Sequence, residues 1–166
     1  SLGNTVKGLN RDVTIRDIVS TYIYPNTLKT LCVTREQLKC ALERSAEYFA
    51  IDADGKLKVS ESFLTPIEQH FNYDYFSGIE AAFDIRRSVG DRVVSIKYKG
   101  EELSDDKRLT LCMNNYRASG AGGYDVYRQC QTVRELPTEI AELIIAYVDK
   151  HRNITVDKHK WLNVIY

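Results

Sequence analysis

Apolar residues recur with two different spacings along the chain, and these spacings predict a mixture of helices and strands. Spacings of three and four residues, typical of amphipathic helices, run over residues 14–22 and 34–49. Each segment begins at a threonine with a polar residue three positions later, Asp17 and Gln37 respectively, which is the pattern of a capping box. The sequence therefore predicts two helices in the first third of the chain.

Runs rich in β-branched and apolar residues predict strands at residues 28–33, 56–60, 79–85, 92–99 and 108–113. Turn residues separate the last three runs, which favours an antiparallel meander. A further helix is predicted to begin at Pro137, because proline is favoured in the first helical turn. Early and late helices with mixed or antiparallel strands between them indicate the α+β class.

Residues 114–124, with the sequence NNYRASGAGGY, follow one of the predicted strands and form the most distinctive stretch of the chain. Three glycines let this backbone turn sharply or approach a ligand closely. Tyr116 at the start of the loop offers a flat surface for stacking. The segment is either a binding loop at a strand end or a plain connection without a ligand.

Composition and charge narrow the classes of function. The chain has 166 residues, of which 43% are hydrophobic and 28% charged, and its formal net charge is zero. These values are ordinary for one globular domain, and they give no electrostatic reason to expect a nucleic-acid polymer as partner. No apolar run reaches the roughly 20 residues of a membrane span. The absence of a signal-peptide pattern at Ser1 leaves open a cytosolic protein, a mature protein or a fragment.

The four cysteines and three histidines show no metal-binding or catalytic pattern. We expect Cys32, Cys40, Cys112 and Cys130 to be free thiols that behave as small buried apolar residues. The turn at residues 52–55 lacks the further oxygen ligands of a calcium loop. No nucleophile motif or phosphate-binding loop is present, so the residues favour a binding domain over a self-sufficient enzyme.

Two pairs of aromatic and amide residues are candidates for binding. Tyr24 is followed by Asn26, and Tyr116 is preceded by Asn114 and Asn115. Two aromatic rings can hold a planar group such as a nucleobase between them, and amides can hydrogen-bond its polar edges. The alternative is that both tyrosines simply pack in the core.

Five segments in a fixed order resemble the C-terminal domain of the bacterial 5′-nucleotidase family. They are YIYPNTL (22–28), TREQLK (34–39), YDYFSGIE (73–80), VGDRV (89–93) and NNYRA (114–118). The branch that these segments resemble most is 2′,3′-cyclic-nucleotide 2′-phosphodiesterase/3′-nucleotidase. The resemblance implies a layered α/β/β/α fold with flanking helices.

The resemblance also implies that residues 1–166 are a single nucleotide-substrate-binding domain of a secreted, periplasmic or cell-surface hydrolase. In such proteins an N-terminal metallophosphoesterase domain carries two divalent metal ions that activate the attacking hydroxide. The combination of metal-ligand patterns that this domain uses, Asp-x-His, Gly-Asp-x-x-Asp and Gly-His-x-His, is absent from the present chain. We therefore expect no catalytic residue, metal or other cofactor in this chain, and a nucleotide or nucleoside as its ligand.

Site residues are carried over by position. Tyr24 and Tyr116 match the two stacking aromatics of the family, and Asn26 matches an asparagine that touches the nucleoside. Asn4 stands in for an upstream asparagine, whereas the accompanying arginine is missing, with Lys7 as a replacement that lacks its planar fork. The family's ribose-binding aspartate has no exact counterpart, and Asp125 is the nearest carboxylate. The alternative function is a non-catalytic surface module for a sugar, cell-wall or protein ligand.

Overall fold

The computed structural model describes residue 6 and residues 8–166. Its first two helices are α1 (Ile15–Thr21) and α2 (Arg35–Ala46), which confirm the two predicted helices. Thr14 and Thr34 cap them, and in both cases the N3 side chain completes the capping box. Helix α2 ends before Phe49, because the chain there enters a short strand.

The remaining elements follow in chain order and combine helices with strands, as expected for the α+β class. The strands are β1 (Thr27–Thr34), β2 (Phe49–Ile51), β3 (Leu57–Val59), β4 (Glu80–Asp84), β5 (Val93–Tyr98), β6 (Glu101–Glu102), β7 (Arg108–Asn114), β8 (Gln131–Glu139) and β9 (Leu162–Ile165). The later helices are α3 (Asn115–Ala118) and α4 (Ile140–His151). Single 3-10 turns occupy Glu61–Phe63, His70–Asn72 and Asp125–Gln129.

In the described part of the chain, the strands form an antiparallel sheet in the order β7-β1-β8 and a mixed sheet in the order β6-β5-β4-β9. Strands β2 and β3 make a separate hairpin. Helix α2 contacts β1 of the first sheet and β5 of the second, so it joins the two sheets through its buried face. Antiparallel and mixed sheets with flanking helices confirm the predicted fold class.

The predicted meander is wrong in its third strand. Strands β4 and β5 pair antiparallel as expected, but β7 pairs with β1 in the other sheet. The place beside β5 is taken by β6, which follows directly after a turn at Lys99 and Gly100 with φ of 54° and 85°. Two successive residues with positive φ are typical of the tight hairpin turn that returns the chain at once to its neighbour.

The helix predicted to begin at Pro137 is also placed incorrectly. Pro137 lies inside β8, and α4 begins three residues later at Ile140. Strand β8 pairs only with β1 among the described residues, so it is an edge strand. An edge position tolerates proline because no neighbouring strand needs its missing N–H group.

The core lies around α2 and the inner faces of the two larger sheets. Its most buried large side chains include Leu31, Leu38, Phe83, Tyr124 and Tyr127. The aromatic segment 71–76 lies largely on this core. Within it, Tyr73 packs against the rings of Tyr48 and Phe49 with centroids 4.7 and 5.6 Å away, whereas Tyr75 is exposed.

The four cysteines are free thiols, as predicted, but the expectation that all are buried is wrong. Cys40 and Cys112 are exposed, and Cys32 and Cys130 are half-buried. Cys112 lies on the outward face of β7, where exposed residues alternate with partly buried ones, so the period of two places it toward solvent. Over the residues that the structure describes, no helix is long and apolar enough to cross a membrane.

Candidate functional site

Two exposed tyrosines lie at the same edge of the three-stranded sheet, the one where β1 begins and β7 ends. Strands β1 and β7 are antiparallel with Leu28 opposite Asn114, so the start of β1 adjoins the end of β7. Tyr24 comes shortly before β1 and is 46% exposed, and Tyr116 comes shortly after β7 and is 40% exposed. The backbone N–H of Thr27 donates to the side-chain oxygen of Asn115 at 3.1 Å and ties the two segments together.

The segment from Tyr24 to Thr27 is the turn that the sequence predicts. The N–H of Asn26 donates to the carbonyl of Tyr24 at 2.8 Å, which closes a three-residue turn. The carbonyl of Asn26 accepts from the N–H of Ile140 at 2.8 Å, so the first residue of α4 anchors this turn. The Asn26 side-chain amide has no hydrogen-bond partner among the described residues and remains available to a ligand.

On the opposite side, the amides of Asn114 and Asn115 serve the fold. The Asn114 side-chain oxygen accepts from the N–H of Arg117 at 2.7 Å and caps α3. The Asn115 oxygen accepts from Thr27, as described above. These bonds fix the single helical turn that carries Tyr116. The side-chain oxygens of both asparagines therefore already accept hydrogen bonds within the fold.

Arg117 is the residue that attaches α3 to the body of the domain. Its side chain is 3% exposed, which is unusual for arginine and demands compensation for lost hydration. The guanidinium forms an ion pair with Asp74, with Nε 2.6 Å from Oδ2, and donates to the carbonyls of Phe71 (3.0 Å) and Ala121. It also lies 4.3 Å from the ring centroid of Tyr124.

The glycines at 120, 122 and 123 leave room for neighbouring side chains of the protein. All three have positive φ, at 86°, 76° and 90°. A Cβ atom at Gly122 would lie 2.1 Å from Nη1 of Arg117, and one at Gly123 would lie 2.5 Å from Nε of Arg44. The positive φ angles and the close packing against the buried Arg117 and the half-buried Arg44 account for the glycines of this loop.

Behind the loop, Tyr124 and Tyr127 form a buried stack whose ring planes differ by 5°. The Tyr124 hydroxyl is shared among the hydroxyl of Ser45 (2.8 Å), the N–H of Asp74 (3.1 Å) and the carbonyl of Asn72 (3.2 Å). Burial raises the pKa of both tyrosines well above the ordinary value, because an ionised phenolate would lose its hydration there.

Burial likewise raises the pKa of the Asp74 carboxyl, and the attraction of Arg117 opposes this shift. The larger of the two effects is the loss of hydration of the Asp74 carboxylate itself. Asp74, Arg117 and Tyr124 therefore form one packed polar network, which sequence patterns did not reveal. In the sequence this network is marked only by the arginine directly after Tyr116. Pattern alone would place that arginine on the surface.

The other predicted site residues lie apart from this network or outside the described part. Asp125 is exposed and pairs with Arg128, with 3.1 Å between Oδ1 and Nη2. Its Cα atom lies against Gly120, close to the C-terminal end of α3, so it is near the helix of Tyr116 in the chain and in the fold. Asn4 and its neighbour Lys7 lie outside the described residues.

No group of three or more potential metal ligands occurs among the residues that the structure describes. The sequence Asp157-Lys158-His159 contains an Asp-x-His spacing, but its residues are engaged otherwise. The Asp157 carboxylate accepts from the backbone of His159 at 2.8 Å and from Nε1 of Trp161 at 3.0 Å. Nε2 of His159 contacts Glu80 at 3.1 Å, so the cluster holds the segment before β9 against β4.

Comparisons with known proteins identify the family to which this fold belongs. The sequence profile of the "5′-nucleotidase, C-terminal domain" family matches residues 3–129. Residues of this chain are 30% identical over 125 positions to the 2′,3′-cyclic-nucleotide 2′-phosphodiesterase/3′-nucleotidase of Haemophilus influenzae, covering 65% of this chain and 18% of that protein. They are 23% identical over 155 positions to the trifunctional nucleotide phosphoesterase YfkN of Bacillus subtilis, covering 86% and 10%.

A solved structure shows the same fold over the whole length. A Staphylococcus aureus protein assigned to the 5′-nucleotidases, crystallised with α-ketoglutarate, superposes with a TM-score of 0.92 and 36% identity. The match covers all of this chain and 32% of the other. The chain spans a tenth to a quarter of the length of the curated relatives that it matches across most of its residues. The chain belongs to the 5′-nucleotidase C-terminal domain family, as its resemblance predicts.

Proposed function

We propose that this chain is the nucleoside-binding domain of a nucleotide phosphohydrolase, and that Tyr24 and Tyr116 hold the base between them. The observation that carries the proposal is the register of β1 and β7, which places both half-exposed tyrosines at one sheet edge. In the complex each ring lies about 3.5 Å from the base, the normal contact distance between carbon atoms.

Neighbouring polar groups suit the remainder of a nucleoside. The unengaged amide of Asn26 offers two donors and an acceptor to the base or ribose, and it is fixed by its turn. Asp125 offers a carboxylate to ribose hydroxyls, for which it would have to leave its exposed pair with Arg128. Such surface pairs are worth only about 0–1 kcal/mol, so the exchange costs little. Asn4 completes the proposed set from the chain's N-terminal segment.

Hydrolysis belongs, in this proposal, to a metallophosphoesterase domain of the same full-length protein. Two divalent metal ions in that domain would activate water and polarise the phosphate, while this domain supplies binding and orientation. The names of the matched relatives include phosphoesterase, 2′-phosphodiesterase and 3′-nucleotidase activities. We therefore propose a 5′-nucleotide, a 3′-nucleotide or a 2′,3′-cyclic nucleotide as substrate, and a secreted, periplasmic or cell-surface location.

A titration of the chain with adenosine and with 3′-AMP, followed by NMR, tests the binding. We expect saturable shifts centred on residues 24–27 and 114–118. Tyr24→Ala and Tyr116→Ala should each weaken binding roughly 5- to 150-fold, because stacking contributes about 1–3 kcal/mol per base. Tyr75→Ala is the matched control, because Tyr75 is similarly exposed, at 57%, but lies in another segment.

Two outcomes would contradict the proposal. Equal losses of affinity in Tyr75→Ala and Tyr116→Ala would show that the effect is not specific to the sheet edge. Clear turnover of 3′-AMP by the isolated chain with added Mn²⁺ would show that the chain contains its own catalytic centre, since the proposal predicts phosphate release only when the metallophosphoesterase domain is present.

A further inference from the structure

A cavity lies between the two larger sheets, at the far end of β1 and β7 from Tyr24 and Tyr116. It has a volume of about 420 Å³ and includes Val33 near the end of β1 and residues 108–111 at the start of β7. The register of the two strands pairs Thr34 with Arg108 here and Leu28 with Asn114 at the other end. Six residues of strand separate the two ends, which corresponds to roughly 20 Å. The cavity is therefore separate from the proposed nucleoside site.

The floor of this cavity is apolar. Val33 and Leu38 are each 1% exposed and Ile79 is 7% exposed, and all three line it. Leu109 and Leu111 add half-buried side chains from β7. A volume of this size falls within the range of roughly 300–1,000 Å³ that small-molecule sites occupy. The floor can thus accept an aliphatic or aromatic body.

The mouth is positively charged. Lys99, Lys107 and Arg108 are exposed and belong to the lining, which contains no aspartate or glutamate. Among the described residues, Lys99 contacts only the ring of Tyr98, 5.4 Å from its centroid. The side-chain ammonium of Lys107 has no described carboxylate partner. Neither ammonium has a carboxylate at ion-pair distance among the described residues, although Lys107 and Arg108 attract the Asp106 carboxylate from farther away.

Acidic residues near the mouth, which include Glu101, Asp105 and Asp106, offset part of this charge from outside the lining. The Arg108 guanidinium donates to the main-chain carbonyls of residues 105–107 at 3.3–3.5 Å, and these carbonyls carry no net charge. Of the neighbouring acids, Asp105 pairs with Arg35 at 3.2 Å. The Asp106 carboxylate is hydrogen-bonded to Ser104, which lowers its pKa. The cavity thus combines an apolar floor with a rim of basic side chains.

We propose that this cavity binds an amphipathic anion, a small molecule with an apolar body and one carboxylate or phosphate head. The body would lie against the half-buried side chains of Leu109 and Leu111, where it removes apolar surface from water. The head would lie between Lys99 and Lys107, with the hydroxyl of Ser77 at the same mouth as a further donor. Occupancy of the cavity does not depend on the nucleoside site.

Octanoate and octyl phosphate are the probes that test this site, with octanol as the uncharged control. In an NMR titration of the chain at low salt, we expect saturable shifts at residues 77–79, 98–99 and 107–111, with a Kd of about 1 mM or tighter. Octanol should bind at least about tenfold more weakly, because it makes no ion pair. The ratio of the two anion affinities identifies the preferred head group.

Two kinds of variant test separately the charge at the mouth and the free volume of the cavity. Lys99→Gln with Lys107→Gln should weaken octanoate binding roughly three- to tenfold, in line with two partly exposed ion pairs. The matched control, Lys56→Gln with Lys58→Gln, removes two exposed charges elsewhere and should leave the affinity unchanged. Ser77→Phe fills the mouth and should abolish the shifts, while an unchanged far-UV spectrum shows that the fold is kept.

Several results would overturn the proposal. They are the absence of saturable shifts up to about 10 mM octanoate, equal binding of octanol, or shifts that map to the edge of Tyr24 instead. Equal weakening by the control variant would also overturn it, because the charge effect would then be nonspecific. An adenosine titration of the same samples is read separately, so failure of the nucleoside proposal and failure of this one are distinguishable.

Discussion

Two pairs of tyrosines in this domain show how one residue type serves two purposes. Tyr124 and Tyr127 are stacked in the core at 1% and 2% exposure, and the Tyr124 hydroxyl is fully engaged in hydrogen bonds. Tyr24 and Tyr116 are 46% and 40% exposed, and neither makes a ring contact with another aromatic residue in the described part of the chain. The core pair stabilises the fold, whereas the rings of the edge pair stack on no other described aromatic ring, and the Arg117 guanidinium lies 5.8 Å from the centroid of Tyr116.

The largest expected effect is a difference in the free energy of unfolding between variants of the core pair and of the edge pair. Tyr124→Ala should lower the free energy of unfolding by about 3–5 kcal/mol, because it leaves a cavity and removes the partner of Ser45 and Asp74. Tyr116→Ala should change it by no more than about 1 kcal/mol, because the ring is already exposed. Urea unfolding of both variants measures the difference. Similar losses in the two variants would contradict the division between core and edge.

The second prediction concerns the loop that holds the core pair in place. Gly122→Ala should destabilise the domain by about 3 kcal/mol, because its φ of 76° disfavours a side chain and its Cβ would collide with Arg117. Gly55→Ala is the matched control, with a φ of 79° but no atom within 4 Å. It should cost only about 1–2 kcal/mol. Equal costs, measured by thermal and urea unfolding, would show that close packing plays no part.

The third prediction distinguishes ring from hydroxyl. Tyr124→Phe should cost about 1–3 kcal/mol of stability, because it leaves buried polar groups without their partner. Tyr24→Phe and Tyr116→Phe should leave both stability and adenosine affinity within about 0.5 kcal/mol, because stacking requires only the aromatic face. A large loss of affinity in either edge variant would mean that its hydroxyl, and not its ring, contacts the ligand.

The prediction with the smallest effect compares a buried and an exposed tyrosine by the stability of the domain at alkaline pH. Burial, with smaller contributions from Tyr75, Tyr48 and Asp74, raises the pKa of Tyr73 to about 12. The unfolded chain ionises this group near pH 10, so its contribution to stability is fully present below pH 10 and is lost as the pH rises toward 12. The free energies of unfolding at pH 9 and pH 11 should differ by about 1 kcal/mol less in Tyr73→Phe than in Tyr147→Phe, a control at an exposed tyrosine that does not contribute to the shift. An unchanged difference would refute the role of Tyr73.

Local signals in the sequence identified much of the fold. Both capping boxes were predicted because each needs only a threonine and a polar residue three positions apart. Pro137 misled the prediction, because a proline suits both a helix start and an edge strand, and only the pairing of β8 decides between them. The transfer of β7 to the other sheet was equally invisible, because strand partners are chosen by long-range packing.

In the candidate site, too, local features were predicted and long-range contacts were not. Tyr24 and Asn26 were identified from a local turn, which the structure contains. The burial of Arg117 was not predicted, because its partners Asp74 and Phe71 lie more than forty positions away and no local pattern marks them. The glycine-rich loop was interpreted as a ligand contact because the sequence does not show which side chains it packs against. Its neighbours Arg44 and Arg117 become visible only in three dimensions.

The last strand, β9, has a consequence for how the protein is made. It lies parallel to β4, and the N–H of Ala81 and of Ile85 donate to the carbonyls of Trp161 and Ile165. A ribosome must therefore release the final residues of this segment before one long edge of β4 has a partner. Until then that edge offers unpaired N–H and carbonyl groups to other nascent chains. We expect the exposure of this edge to make the interval before β9 leaves the ribosome an aggregation-prone stage of the domain's synthesis.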